Sequence, residues 1–156
     1  MPQQRTLAAP PDTEDFGAEL ATELAAGDVV ILDGPLGAGK TVLARGIARG
    51  LGAQGAVTSP TYVIARVHPA GGRRPDGGAA TAMVHVDAYR LGDGPGALDQ
   101  LDALDLDTDL DDSVVVVEWG AGLAERLADH HVVVRLRRDP DTDVRTAEWE
   151  RRTGSA

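Results

Sequence analysis

The chain has 156 residues, 42% of them hydrophobic and 26% charged, a composition that favours one globular domain with a core of its own and excludes a disordered chain. Its formal net charge is −10 and its arginines form no basic stripe, so tight direct binding to nucleic acid is not expected. The lack of cysteine excludes disulfides, thiolate metal ligands and a cysteine nucleophile.

The N-terminal residues and the apolar runs determine what is expected of targeting and of membranes. The stretch MPQQRTLAAPPDTED has no long apolar core, which argues against a signal peptide. No apolar run approaches the roughly 20 residues that span a bilayer, so we expect a cytoplasmic protein that does not enter a membrane. The expected organisation is a flexible lead at residues 1–11, one domain at 12–150 and a flexible tail at 151–156.

The first predicted element is an amphipathic helix. Phe16, Leu20 and Leu24 recur at every fourth position and therefore share one helix face. Asp12 or Thr13 is suited to cap its start, because both side chains accept hydrogen bonds from backbone N–H groups.

A strand and a second helix follow on either side of a glycine-rich turn. The β-branched run VVIL at 29–32 lies between turn residues, which predicts a strand buried on both faces, as in a parallel sheet. After the turn, Leu43, Ile47 and Leu51 have helical spacing, and Gly52 is placed to end that helix.

The rest of the chain alternates strands, helices and loops. Gly, Pro and Arg residues at 69–80 predict a loop that bulges into solvent between two strands of a hairpin. Helices are expected within the acidic segment 96–112 and at 121–128. The predicted strands are 61–67, 82–87, 113–119, 131–138 and an antiparallel partner at 143–150. These elements predict an α/β fold with a mixed β-sheet flanked by helices in a single domain.

The stretch LDGPLGAGKT carries the strongest functional signal. Gly34, Gly39, Lys40 and Thr41 match the phosphate-loop pattern G-x-x-x-x-G-K-[ST] in full, between a predicted strand and a predicted helix. Glycines let a loop turn its N–H groups towards a phosphate, and the helix that follows directs its positive end at the same point. We expect Lys40 to reach the β- and γ-phosphates of a nucleotide and the Thr41 hydroxyl to ligate Mg²⁺.

Two carboxylates end predicted strands and are candidates for the same site. Asp87 follows MVHV and Glu118 follows four valines, so both are expected at the carboxyl edge of the sheet. One would hold Mg²⁺, directly or through water, and the other would orient or deprotonate the attacking water. The alternative for each is an acid solvated at the sheet edge.

Three further polar groups are less specific. Ser59 and Thr61 in TSPTY are candidates for a switch-like segment that senses the γ-phosphate, although an ordinary turn explains them equally well. His85 is either a structural histidine or a metal ligand, but the sequence offers no third zinc ligand. The segment DLDTDLDD at 105–112 lacks the glycine and glutamate spacing of a calcium loop, so a solvated acidic face is expected there.

Taken in order, GPLGAGKT, TSPTYVI, HVDAYRL and VVVVEWG resemble the TsaE family over about residues 12 to 147. The phosphate loop is shared by many families, whereas SPTY, H-x-D-x-Y-R and V-E-W in this order are specific. The resemblance implies a P-loop ATPase, weak alone, that serves the formation of threonylcarbamoyladenosine at position 37 of tRNA. It implies TsaD and TsaB as protein partners, ATP and Mg²⁺ as cofactors, and contact with tRNA only through the complex.

The family's residue roles transfer to matching positions of this chain. Thr41 and Glu118 would ligate Mg²⁺, Asp87 and Lys40 would act in catalysis, and Ser59 and Thr61 would lie in the switch-like segment. The residues expected to contact the nucleotide are Gly37, Ala38, Gly39, Lys40, Thr41, Val42, Trp119 and Arg145. The chain departs from the family at Pro35, where an acid is frequent, and at Val144, where a glycine precedes the late arginine.

Other functions of a phosphate loop are weighed against this one. A small-molecule or nucleotide kinase would use Arg73 and Arg74 as lid arginines, but no distinct acceptor-binding module is evident. A GTPase needs an N/T-K-x-D motif, which the sequence lacks, so ATP is preferred over GTP. A nucleotide-dependent scaffold with incidental hydrolysis is the alternative outside enzymes.

Overall fold

The computed structural model describes residues 3–34, 39–53, 65–75, 77–87, 113–118, 131–142 and 144–152. Two helices and seven strands lie in these ranges. The helices are α1 (Pro10–Ala21) and α2 (Lys40–Leu51). The strands are β1 (Gln3–Leu7), β2 (Val29–Asp33), β3 (Ala65–His68), β4 (Ala82–Asp87), β5 (Ser113–Glu118), β6 (His131–Arg138) and β7 (Arg145–Arg152).

All seven strands join one mixed sheet in the order β1-β7-β6-β2-β5-β4-β3. The centre is parallel, because β2 runs parallel to both β5 and β6, and β4 runs parallel to β5. The edges are antiparallel, with β3 on β4 at one side and β7 on β6, then β1 on β7, at the other. The predicted mixed sheet of an α/β fold is confirmed, as are the hairpin and the antiparallel partner of β6.

The core lies between one sheet face and the two helices. It joins Phe16 and Leu20 of α1, Leu43 and Ile47 of α2, and strand residues such as Val116. Strand β2 is buried on both faces, since all four residues of its VVIL run have no exposed surface. This burial confirms the interpretation of the unbroken apolar run as a central parallel strand.

Helices α1 and α2 pack at unusually short range because glycines lie at their contact. A Cβ built on Gly17 would lie 2.5 Å from the Leu43 carbonyl oxygen, and one on Gly50 would lie 2.5 Å from that of Ala18. No side chain fits at such distances, so the glycines are what allow the two backbones to approach. Within the described ranges, neither helix is long and apolar enough to cross a membrane.

The structure corrects the two predicted termini. The lead at 1–11 is wrong for most of its length, because β1 pairs with β7 and α1 begins at Pro10. Neither Asp12 nor Thr13 is the cap; Ala9 is, with Asp12 accepting a hydrogen bond of 2.9 Å from its N–H. The predicted tail is wrong at its start, where Arg151 lies in β7 and donates a hydrogen bond of 3.2 Å to Asp28.

The segment predicted to bulge into solvent is anchored to the far end of α2. The N–H of Gly71 donates to the Gly52 carbonyl at 2.7 Å, and that of Thr81 donates to the Leu51 carbonyl at 2.8 Å. Gly52 ends α2 in the left-handed conformation, as predicted. The helices expected within 96–112 and at 121–128, and the strand residues 61–64, lie outside the described ranges.

Candidate nucleotide-binding site

Strand β2 delivers the chain to the glycine segment, and α2 begins directly after it. Gly39 is the N-cap of α2 and has φ 102°, in the left-handed region that residues with a side chain rarely adopt. The glycine requirement inferred from the sequence is therefore confirmed at Gly39. The helix starts at Lys40, so the lysine and threonine of the motif occupy its first turn.

The N-terminus of α2 presents backbone donors without a side-chain cap. The first helical hydrogen bond is from the Leu43 N–H to the Gly39 carbonyl, at 2.9 Å. The N–H groups of Thr41 and Val42 precede it, in the first turn, where a helix offers no intrahelical acceptor. Because Gly39 supplies no capping side chain and the first turn holds no acid, this helix end is electropositive. It is suited to an anion such as a phosphate group.

Lys40 links the two ends of the loop. Its side chain is nearly buried, with 5% of the residue exposed. The Nζ ammonium donates a hydrogen bond of 2.5 Å to the carbonyl oxygen of Gly34. This contact holds the positive charge between the end of β2 and the start of α2, where the loop would surround a phosphate.

Two residues from distant parts of the chain meet Gly39. A Cβ built on Gly39 would lie 3.4 Å from Arg145 Nε and 3.7 Å from Thr13 Cγ2. Arg145, at the start of β7, is therefore brought to the phosphate loop, as the late arginine of the resemblance requires. Thr13 was not expected here; only the close packing of α1 on α2 brings it to this point.

The two strand-ending acids are neighbours across β4 and β5. Asp87 pairs in register with Glu118, and Glu118 pairs on its other side with Leu32 of β2. The prediction that both acids reach the same sheet edge is confirmed for the backbone. A further contact was not predicted: His85 Nε2 lies 2.5 Å from Glu118 Oε2, and both side chains are almost entirely buried.

Some predicted site residues fall outside this description. Gly37, Ala38, Ser59, Thr61 and Trp119 lie outside the described residues. Among the described residues, no cluster of three His, Asp or Glu side chains is arranged to hold a metal.

Arg74, one of the two candidate lid arginines, binds at the C-terminal end of α1, away from the glycine segment. Its guanidinium donates to the Ala21 carbonyl at 3.1 Å and to the Thr81 hydroxyl at 2.8 Å. These bonds attach the 69–80 segment to the end of α1. The arginine is committed to structure there, so the kinase alternative loses one of the two residues on which it relied.

Comparisons with known proteins agree with this arrangement. The family model described as "Threonylcarbamoyl adenosine biosynthesis protein TsaE" matches residues 7–148. The TsaE protein of Mycobacterium bovis is 56% identical over 146 residues, covering 92% of this chain and 84% of that protein. The TsaE protein of Streptomyces coelicolor is 54% identical, covering 80% of this chain and 78% of that protein.

The solved structures include a similar fold. The crystal structure of Bacillus subtilis YdiB superposes with a TM-score of 0.71 at 25% identity, covering 99% of this chain and 87% of that one. The fold is thus that of a P-loop NTPase-like α/β domain, in agreement with the strand–glycine turn–helix order seen at β2 and α2. The match to the family model and to these relatives shows that the chain belongs to the TsaE family of tRNA threonylcarbamoyladenosine biosynthesis proteins.

Proposed function

We propose that this chain is a Mg²⁺-dependent ATPase that binds ATP at the loop between β2 and α2 and supports repeated turnover of a TsaB–TsaD transferase complex. Its own hydrolysis would be weak, and the partners would activate it. The observation that carries the proposal is the joint placement of Lys40, Gly39 and the uncapped start of α2 around one loop. An electropositive helix end beside a held ammonium group favours a polyphosphate ligand.

The residues around the loop fit a nucleotide with its metal. Thr41 follows Lys40 in the first turn of α2, and Glu118 ends the strand beside β2. A hydroxyl and a carboxylate are oxygen ligands that Mg²⁺ prefers. The ion would neutralise charge on the β- and γ-phosphates. We assign Asp87, in register with Glu118, to orienting and deprotonating the attacking water.

Arg145 completes the charge arrangement. Its guanidinium lies against Gly39, within the motif that would surround the phosphates. A second fixed positive charge would stabilise negative charge that develops on the phosphoryl group during transfer to water. Ser59, Thr61 and Trp119 stay assigned to the switch-like segment and to the nucleotide by the family resemblance.

The charge of the chain bears on its partners. With a formal net charge of −10, the isolated protein gains little from counterion release on RNA. We therefore propose that it meets tRNA only through TsaB and TsaD, in the cytoplasm. Salt-sensitive binding of tRNA to the isolated chain at micromolar concentration would contradict this part of the proposal.

Reconstituted tRNA modification tests the hydrolytic role. Phosphate release is measured with and without TsaB–TsaD, and threonylcarbamoylated tRNA is counted per transferase over many turnovers. We expect Lys40→Ala to lose ATP affinity, and Asp87→Ala to bind ATP but to stop modification after the first turnovers. Asp141→Ala, which removes an exposed acid from the β6–β7 turn, is the matched control and should be unchanged.

Two results would reject the proposal. If Lys40→Ala binds Mg-ATP like the unmodified chain, the loop does not hold the phosphates. If Asp87→Ala binds ATP and sustains full multiple-turnover modification, hydrolysis is not what the complex needs. The second result would favour a nucleotide-dependent scaffold.

A further inference from the structure

We propose that His85 is a positioning residue for the metal site: it holds one oxygen of the Glu118 carboxylate so that the other oxygen is presented to Mg²⁺. This inference rests on the proposed function, since it takes Glu118 as a magnesium ligand. It concerns a residue that does not itself contact nucleotide or metal.

The contact lies in the interior, between two adjacent parallel strands. His85 of β4 is 0% exposed and Glu118 of β5 is 6% exposed. His85 pairs in register with Val116, two residues before Glu118, so that the imidazole and the carboxylate lie along the same sheet face. Among the described residues, His85 is the hydrogen-bond partner of Glu118, at 2.5 Å from Nε2 to Oε2.

The chemistry of the two groups fixes which one donates. A carboxylate that ligates a metal ion is ionised and only accepts hydrogen bonds, so in the proposed site His85 Nε2 is the donor. The other ring nitrogen, Nδ1, is buried and has no hydrogen-bond partner within the described part of the chain. With the Nε2 hydrogen donated to one oxygen of the Glu118 carboxylate, the other oxygen is left available to a cation.

A glutamate at a strand end needs such a restraint. Its side chain has three rotatable bonds, and an unpaired carboxylate in a buried position would turn towards water. Hydrogen bonds from neighbouring groups orient the ligands of protein metal sites, and their removal typically costs about 10- to 100-fold in metal affinity. The His85 contact has the form of such a bond, with the usual roles exchanged: the carboxylate is the ligand and the histidine supports it.

The simpler alternative is that His85 is only a satisfied core histidine. Both possibilities predict lower stability on substitution, so stability does not separate them. They differ in the affinities that substitution should change. Loss of a core residue would weaken nucleotide and metal binding alike, whereas loss of a residue that positions Glu118 would weaken metal binding alone. The chain supplies a matched control in His131, a second buried imidazole, at the start of β6. Within the described part of the chain neither of its ring nitrogens has a hydrogen-bond partner.

The test measures Mn²⁺ binding to the full chain in the presence of ADP by electron paramagnetic resonance, with ADP affinity measured separately in EDTA. We expect His85→Ala to weaken Mn²⁺ binding by about 10- to 100-fold and to leave ADP affinity in EDTA within about 2-fold. His85→Gln retains an N–H donor near the position of Nε2 and should recover most of the loss. His131→Ala should bind Mn²⁺ as the unmodified chain does.

A Glu118→Gln background separates this inference from the proposed function. If His85 acts through Glu118, His85→Ala should cause no further loss of Mn²⁺ affinity in that background. If Glu118→Gln lowers Mn²⁺ affinity but His85→Ala and His131→Ala both leave it unchanged, the positioning role is wrong while the proposed metal site stands. If Glu118→Gln itself has no effect, the metal assignment is wrong and this inference fails with it.

Folding of the variants is checked by circular dichroism before binding is compared. Should His85→Ala not fold, His85→Leu fills the volume without a donor and is compared with His85→Gln. Equal Mn²⁺ affinity in those two variants would overturn the proposal, because the hydrogen bond is what distinguishes them.

Discussion

Gly46→Ala is expected to destabilise the chain although it places a better helix former within α2. A Cβ at Gly46 would lie 2.8 Å from the carbonyl carbon of Glu14 and 3.0 Å from its Cα, and closer still to its carbonyl oxygen. These atoms belong to the backbone of α1, which cannot rotate away as a side chain would. The two helices would have to separate by on the order of 1 Å to reach ordinary van der Waals distance.

Two opposing terms set the magnitude. Replacing glycine by alanine within a helix gains about 1 kcal/mol from backbone propensity. Overpacking of a close contact costs about 1–3 kcal/mol, and a contact with rigid backbone belongs at the upper end of that range. The net expectation is a loss of about 2 kcal/mol, which for a domain of this size corresponds to a fall in Tm of about 4–8 °C.

Urea unfolding followed by circular dichroism measures this difference. Gly72→Ala is the matched control, because no atom of the described residues beyond its two chain neighbours lies within 4 Å of a Cβ built there, and its φ is not positive. We expect Gly72→Ala to be unchanged or stabilised by less than about 1 kcal/mol. A Gly46→Ala protein as stable as the unmodified chain would refute the reasoning, since helix propensity would then outweigh the clash.

Four further predictions each concern one side chain. Arg145→Ala should weaken ATP binding by about tenfold or more, the value of a charge-assisted hydrogen bond, in a fluorescent-nucleotide titration. Arg74→Ala should leave that affinity unchanged while lowering stability by about 1–2 kcal/mol, and the reverse pattern would restore the kinase alternative. Hydrogen bonding from Arg5 lowers the pKa of the Glu19 carboxyl. The pair therefore stabilises the fold fully at pH values above the ordinary glutamate pKa. This contribution is lost as the pH falls through the lowered pKa. Because the pair is exposed, Glu19→Gln should cost less than about 1 kcal/mol at neutral pH, and a larger loss in urea unfolding would contradict this. His131→Leu removes two buried nitrogens that have no hydrogen-bond partner among the described residues, so it should not destabilise the chain. A loss above about 1 kcal/mol would mean that the imidazole has a partner.

Local patterns were sufficient where one segment determines its own structure. The four residues of VVIL are apolar and β-branched or leucine, so a buried central strand is almost the only place for them. The start of α2 was fixed just as locally, because the glycine that must adopt a positive φ and the lysine that follows it are adjacent in sequence. The same holds for Asp87 and Glu118, whose positions at strand ends follow from the apolar runs before them.

Local patterns failed where a distant partner decides the outcome. Gln3–Leu7 has no strand signal strong enough to outweigh its polar residues, and it becomes β1 because β7 offers it an edge to pair with. The start of α1 is hard to place from sequence because a proline fits both a loose lead and the first helical position, and in the structure Pro10 begins the helix.

By itself, the sequence determined the phosphate loop, the strand before it, the helix after it and the family that the ordered motifs resemble. Only the tertiary structure decided that Arg145 and Thr13 meet at Gly39, that α1 touches the backbone of α2, and that His85 holds Glu118. The physical reason is one of range. Backbone conformation and periodic burial are set by residues a few positions apart, whereas these contacts depend on strand register and helix packing between segments that are far apart in the chain.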